Sequence, residues 1–197
     1  MLQFGSAAGA FPRTGPTSTM SEPTETPTPP PPSIEPELHR IRAAVPDAIL
    51  GVEQKPETGH FWVTVRPRHL PAVVRTLRDD RTLGYAILMD LFGVDRPEEK
   101  ERLQVYYQLY APTRDRRLFL RVAVAEGERI PTLCELFPAA NWPERETAEL
   151  LGVRFEGHAN LELLLLPDGF EGHPLRKDFP LVGRRPVLLF NSIRDLL

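Results

Sequence analysis

Leu103-Gln104-Val105-Tyr106-Tyr107-Gln108-Leu109-Tyr110, then Ala111-Pro112-Thr113-Arg114-Asp115-Arg116-Arg117, then Leu118-Phe119-Leu120-Arg121-Val122-Ala123-Val124: this stretch decides the fold. Successive side chains of an extended chain point to opposite faces. Leu103, Val105, Tyr107 and Leu109 therefore share one face, and Leu118, Leu120, Val122 and Val124 share another. The polar, proline-containing segment from Ala111 to Arg116 reads as the turn between them. The result is a two-stranded hairpin with an apolar face that must be covered.

Working outward, the period changes from two to 3.6 and back. Tyr85 to Leu91 is nearly all apolar between Gly84 and Gly93, which predicts a strand covered on both faces. Leu70, Val73, Val74 and Leu77 fall at i, i+3, i+4 and i+7, which predicts an amphipathic helix over residues 68–79. Before it, Ala48 to Glu53 and the alternating Phe61 to Arg66 predict a second hairpin, turned at Lys55-Pro56-Glu57-Thr58-Gly59. Ile34, Leu38, Ile41 and Val45 make one more helical face. Helix, two strands, helix, three strands implies an α+β fold, a mostly antiparallel sheet with packed helices.

The chain divides into three regions. Residues 1–33 are rich in Pro, Thr, Ser and Gly and end in Pro29-Pro30-Pro31-Pro32, out of 22 prolines in the chain. Such a segment buries too little apolar surface to offset its ordering entropy, and the expectation is a disordered tail with polyproline II character. Met20 lies inside it and offers a second start. Residues 34–157 hold the α+β domain. Residues 158–197 lose clean periodicity while keeping apolar runs such as Leu163 to Leu166 and Val187 to Phe190. That combination predicts an extended C-terminal segment lying along another protein.

Composition excludes several classes of function. A net charge of −3 with interleaved signs argues against binding nucleic acid through phosphate neutralisation. One cysteine, Cys134, supplies neither an internal disulfide nor the thiolates of an iron–sulfur cluster, and reads as a small buried residue in a reducing compartment. No stretch reaches the ~18 apolar residues of a membrane span. The N-terminus lacks the basic and apolar regions of a signal peptide. The expectation is a cytoplasmic chain that meets the membrane through partners. Neither G-x-G-x-x-G nor G-x-x-x-x-G-K-[ST] occurs, and His158 and His173 stand too far apart for a metal pair.

Two polar constellations remain. Thr132 with Glu135, and Asn141 with Glu144, have the spacing of capping boxes opening short helices, the second ending at Gly152. In that second helix Glu144 and Glu146 meet the helix start, and Arg145 and Glu149 have the spacing of a pair. The plain reading is a well-capped, solvated helix; the sharper one is a polar network anchoring the tail or a partner. The other constellation is Glu171-Gly172-His173-Pro174-Leu175-Arg176-Lys177-Asp178. Pro174 confines His173 to extended geometry, so a stiff loop presents His173, Arg176, Lys177 and Asp178, of which Arg176 can grip a carboxylate through two parallel bonds and Lys177 acts as a point charge. A hydrolase using Glu144, Glu146 and His158 would lack a nucleophile and a positioned third group.

Trp142-Pro143-Glu144-Arg145-Glu146, Leu151 to His158, and Glu171 to Pro180 together resemble the 30 kDa subunit family of complex I, also called the C subunit of NADH-quinone oxidoreductase. The resemblance implies an accessory subunit of the peripheral arm, beside the 49 kDa-type subunit, on the cytoplasmic side of the cell membrane. It implies no catalytic, cofactor-binding or metal residue in this chain. FMN, iron–sulfur clusters, NADH and quinone would belong to partner subunits. It also implies docking or structural roles for Trp142, Glu144, Arg145, Glu146, His158, Gly172, His173, Pro174, Arg176, Lys177 and Asp178. An equivalent subunit of a membrane-bound hydrogenase, or of a dehydrogenase with another donor, would share these motifs. The chain departs from the pattern at Thr147 and Ala148, where an aromatic and an acid are usual, and at Glu162, where an arginine is usual.

Overall fold

In a computed structural model, residues 33–181 are described. The proline-rich tail before Ser33 and the run Val187 to Phe190 lie outside the described residues.

The elements are α1 (Glu35–Ala44), β1 (Ile49–Gln54), β2 (Phe61–Val65), α2 (Leu70–Asp79), β3 (Ile87–Asp95), β4 (Leu103–Ala111), β5 (Arg116–Val124), β6 (Arg129–Pro131), α3 (Asn141–Leu151) and β7 (Arg154–Glu156). Five strands form one sheet in the order β1-β2-β5-β4-β3. β4 and β5 pair without a break from Leu103↔Val124 to Ala111↔Arg116, as their alternation requires. The turn between them is a 3₁₀ turn at Pro112–Arg114 followed by Asp115 at φ 44°, a left-handed position that Asp tolerates.

The inward residues of β4 and β5 join Val63 and Val65 of β2, Leu38 and Ile41 of α1, and Leu70, Val73, Val74 and Leu77 of α2 in one buried cluster. Each such side chain contributes about 1.5–3 kcal/mol when fully buried. The helical faces read from the sequence are the faces that pack. The last turn of α2 is also tied to the connection leading into β3, where Leu77 O accepts from Tyr85 N–H. The sheet is mixed, because β2 runs parallel to β5, with Val63 opposite Leu120. No local pattern announces this pairing.

Two expectations are corrected here. The strand expected at Tyr85 to Leu91 begins at Ile87 and runs to Asp95, and it is an edge strand. A bulge between Leu88 and Asp90 sends Leu88 and Leu91 inward and leaves Ile87, Met89 and Phe92 exposed, so only one face is covered. The capping boxes also fail. No helix starts at Thr132. Its Oγ1 accepts from Cys134 N–H in a tight turn. α3 is entered from a 3₁₀ turn at Pro138–Ala140, so Asn141 lies inside the helix and no side chain caps it. Gly152 does end α3, at φ 77°.

α3 packs against β3 at Gly93, where an added Cβ would collide with Leu151 Cδ1 and come within 2.8 Å of Thr147 Cγ2. The short parallel pair β6–β7 ties both flanks of α3 together. Beyond Gly157 the described residues contain no strand or helix, and the chain continues as a strap laid against α3.

Candidate functional site

α3 is the post on which both polar motifs converge. On its inner face Glu144 is fully buried. It accepts from Thr132 Oγ1 at 2.5 Å and from Leu133 N–H at 2.8 Å, so it holds the preceding turn instead of capping its own helix. Burial pushes the Glu144 carboxyl up, against the pull of those donors. His158 lies beside it. Asn160 N–H donates to His158 Nδ1, so the ring hydrogen is on Nε2 and faces Asn141 O at 3.2 Å.

Cys134, Glu144 and His158 offer ligand atoms within 4.8 Å of one another. A metal there would have to displace the Thr132 and Leu133 donors, or the Nε2 hydrogen now aimed at Asn141. As they stand, Glu144 accepts from Thr132, Leu133 and Cys134, and His158 bonds to Asn141 and Asn160.

The outer flank of α3 grips the strap. Arg145 and Glu149 do not pair as their spacing suggested. Arg145 donates to Glu162 O at 2.9 Å and to Leu163 O at 3.2 Å. Glu149 accepts backbone N–H groups from Leu164 at 2.8 Å, Leu165 at 3.1 Å and Leu166. Burial raises the Glu149 carboxyl, but the three N–H donors outweigh it, and the group lies below its ordinary value. Glu162, the reversed charge, enters through its backbone carbonyl, and its carboxylate takes only Asn160.

The loop around Gly172 to Asp178 closes the C-terminal end of α3. The last carbonyls of a helix have no partner within it. Here Ala148 O accepts from Gly152 N–H, Glu149 O faces His173 Nδ1 at 2.7 Å, Leu150 O accepts from Leu175 N–H at 3.0 Å, and Leu151 O accepts from Arg176 Nε at 2.7 Å. The Arg176 cation also suits the negative end of the helix dipole. Gly152 is needed for the approach as well as for its φ, because an added Cβ would meet His173 Nε2 at 2.5 Å and Arg176 Nη2 at 2.6 Å. The expected loop presenting its cations outward is thus half right: His173 and Arg176 turn inward, and only Lys177 stays exposed.

A second fastening joins the loop to Asp95, Arg102 and Glu126, which no sequence motif marks. Asp95, at the end of β3, is held by Arg102 at 2.6 Å and accepts from Lys177 N–H at 2.7 Å. Arg102 continues to Asp178 at 2.9 Å, and Arg176 reaches Glu126 at 2.5 Å. Arg102 holds the Asp95 and Asp178 carboxyls below their ordinary range. Arg102 and Asp178 are 76 residues apart, so no local pattern could have linked them.

The residues of the two motifs therefore divide. Glu144 fastens α3 to the turn before it; Arg145, His158, His173 and Arg176 hold the chain beyond Gly157 to α3, and Asp178 holds it to Arg102. Gly172, at φ 97°, and Pro174 shape the loop. Trp142 and Glu146 remain exposed on α3.

The molecule is thus an α+β domain whose C-terminal strap is locked onto its last helix. The chain belongs to the respiratory-chain NADH dehydrogenase 30 kDa subunit family, whose model matches residues 63–185. It is 44% identical over 158 residues to the NADH-quinone oxidoreductase C subunit of Roseiflexus sp. (strain RS-1), covering 80% of this chain and 90% of the relative. The C subunit of Roseiflexus castenholzii is 42% identical over 158 residues, and that of Rhizobium rhizogenes is 42% identical over 125 residues, 64% of this chain and 62% of that one. A chain of the membrane-bound sulfane sulfur reductase, an archaeal respiratory membrane complex, superposes with a TM-score of 0.61 over 75% of this chain and 86% of that one. At 22% identity that likeness shows a shared fold. The chain is thus a complex I subunit, its partners are other subunits of that complex, and the complex is a membrane-associated one. No helix among the described residues is long and apolar enough to cross a membrane.

Proposed function

We propose that this chain is a non-catalytic scaffold of the peripheral arm of NADH:quinone oxidoreductase, holding the strap as a docking element for the 49 kDa-type subunit on the cytoplasmic side of the membrane. It carries no flavin, cluster, NADH or quinone site of its own, and electron transfer runs through its neighbours. One observation carries the reading. His173, Arg176 and Asp178 of the strap, with the N–H groups of Leu164, Leu165, Leu166 and Lys177, bond back to α3, Asp95 and Arg102, while Leu161, Leu163, Leu165, Leu175 and Leu181 stand exposed. Leucines spaced along a segment without regular structure gain nothing in water, and become useful once a partner covers them. Locking the strap beforehand lowers the ordering cost of that contact.

The test is a pair of aspartates on the strap, Leu163→Asp with Leu165→Asp, introduced into the native complex. The domain should fold unchanged, because neither side chain is buried. Retention of the chain in purified complex and NADH:quinone activity of membranes should both fall. Full retention would overturn the docking role. Stoichiometric iron or flavin in the purified, folded chain would overturn the non-catalytic one.

A further inference from the structure

Between the strap and the edge of the sheet, α3 keeps a third flank that neither the core nor the strap uses. Glu144, Thr147 and Leu151 face inward, and Arg145 and Glu149 face the strap. Trp142, Glu146 and Leu150 recur every four residues on the stripe that is left. Glu146 and Leu150 line a groove together with Asp90 and Phe92 of β3 and Leu175 of the strap. Leu175 in its lining is 57% exposed; Trp142, one turn before Glu146 on α3, is 66% exposed, and Met89, next to Asp90 in β3, 48%.

Two carboxylates flank this groove. Glu146 has no hydrogen-bond or ion-pair partner among the described residues, and Asp90 accepts only from the N–H of Leu91. Arg145, the adjacent cation on the helix, is turned away to the strap. Asp90 also sits at the bulge that interrupts β3, so the unpaired edge beside the groove offers no regular ladder to an added strand. An apolar cleft with two uncompensated negative charges is complementary to an apolar segment that brings its own cations.

We infer that the groove between β3 and α3 is a second docking site, for an apolar segment of a neighbouring subunit that carries Lys or Arg opposite Asp90 and Glu146. This rests on the scaffold reading, and it adds a contact separate from the strap leucines Leu161, Leu163 and Leu165, with Leu175 shared between the two.

The experiment uses the full chain in the native complex. Asp90→Lys with Glu146→Lys reverses the groove, Asp90→Asn with Glu146→Gln neutralises it, and a benzoylphenylalanine at position 89 records the neighbour it meets. Charge reversal is expected to lower retention at least tenfold at physiological ionic strength. The neutral pair should be retained less well than the native chain, with a weaker dependence on salt, since exposed charges across an interface are screened. The photoproduct should join position 89 to a subunit peptide in which Lys or Arg interrupts an apolar run. Full retention of the reversed chain overturns the inference, as does a photoproduct with residues 182–197 of this chain. Should the reversed chain fail to fold, the neutral pair decides: unchanged retention and salt dependence overturn the inference. Loss of Leu163→Asp/Leu165→Asp chains beside full retention of reversed ones leaves the scaffold reading standing and removes only the groove. Retention of both removes both.

Discussion

The β4–β5 hairpin and the strap are held by opposite kinds of chemistry. The hairpin places Val105, Tyr107, Leu109, Leu118, Leu120 and Val122 in a fully buried cluster, and any similar set of apolar residues would serve. The strap buries little. It is held by charged side chains and backbone groups along α3 and at the end of β3: Glu149 on three N–H groups, Arg176 on Leu151 O, Asp95 on Lys177 N–H. Area burial is non-directional and cooperative with the whole core, whereas these bonds depend on geometry and on charge state. The domain therefore resists changes that should free the strap.

The largest effect tests the first half of that contrast. Leu120→Ala removes a fully buried side chain from the middle of the sheet and should cost about 2–5 kcal/mol. Chemical denaturation followed by far-UV circular dichroism should show domain and strap lost together. A cost below about 1 kcal/mol would mean that the sheet is not the seat of stability.

Gly152→Ala should come next and act differently. The new methyl meets His173 and Arg176, and the left-handed backbone adds strain of about 1–3 kcal/mol. Hydrogen exchange should rise across residues 158–181 while β4 and β5 stay protected. Arg176→Ala should give the same pattern more weakly, because it removes the donor to Leu151 O and leaves the methyl clash out. Uniform loss of protection in either variant would merge the two regions into one cooperative unit.

Acid should separate the regions without mutation. The Glu149 and Asp95 carboxyls lie below their ordinary values in the folded chain. Depressed groups of this kind contribute stability above the unfolded pKa of about 4, and that contribution is lost as pH falls through the folded value. Glu144 is raised and has the opposite sign, so its contribution is full below about 4 and fades as pH rises. Limited proteolysis of the strap should therefore quicken below pH about 4, well before the hairpin opens. Glu149→Gln should flatten that response. An unaltered acid response in the variant would remove Glu149 from the account.

The smallest effect is expected at Trp142→Ala. The ring is exposed, and truncation should change the stability of the free chain by no more than about 0.5 kcal/mol. Assembly into the complex should be impaired nonetheless. A large drop in melting temperature would place Trp142 in the fold of the domain.

Periodicity by itself determined much of this protein. The strict alternation of β4 and β5 and the 3.6-residue faces of α1 and α2 follow from local backbone geometry, and the structure packs those faces together. The long motifs around Trp142 and Gly172 also identified the family. Only the tertiary structure decided that β2 runs parallel to β5, that β3 is a bulged edge with one open face, and that Arg176 and His173 cap a helix ending at Leu151, far back along the chain. It alone brought Arg102 to Asp178 and buried Glu37 against Tyr85, Arg114 and Arg116. The division has a physical cause. A side chain's face is set by the dihedral angles of its own segment, which neighbouring residues report. The partner of a charge is set by which distant segments the collapsed core brings within about 3 Å, and no stretch of sequence contains that information.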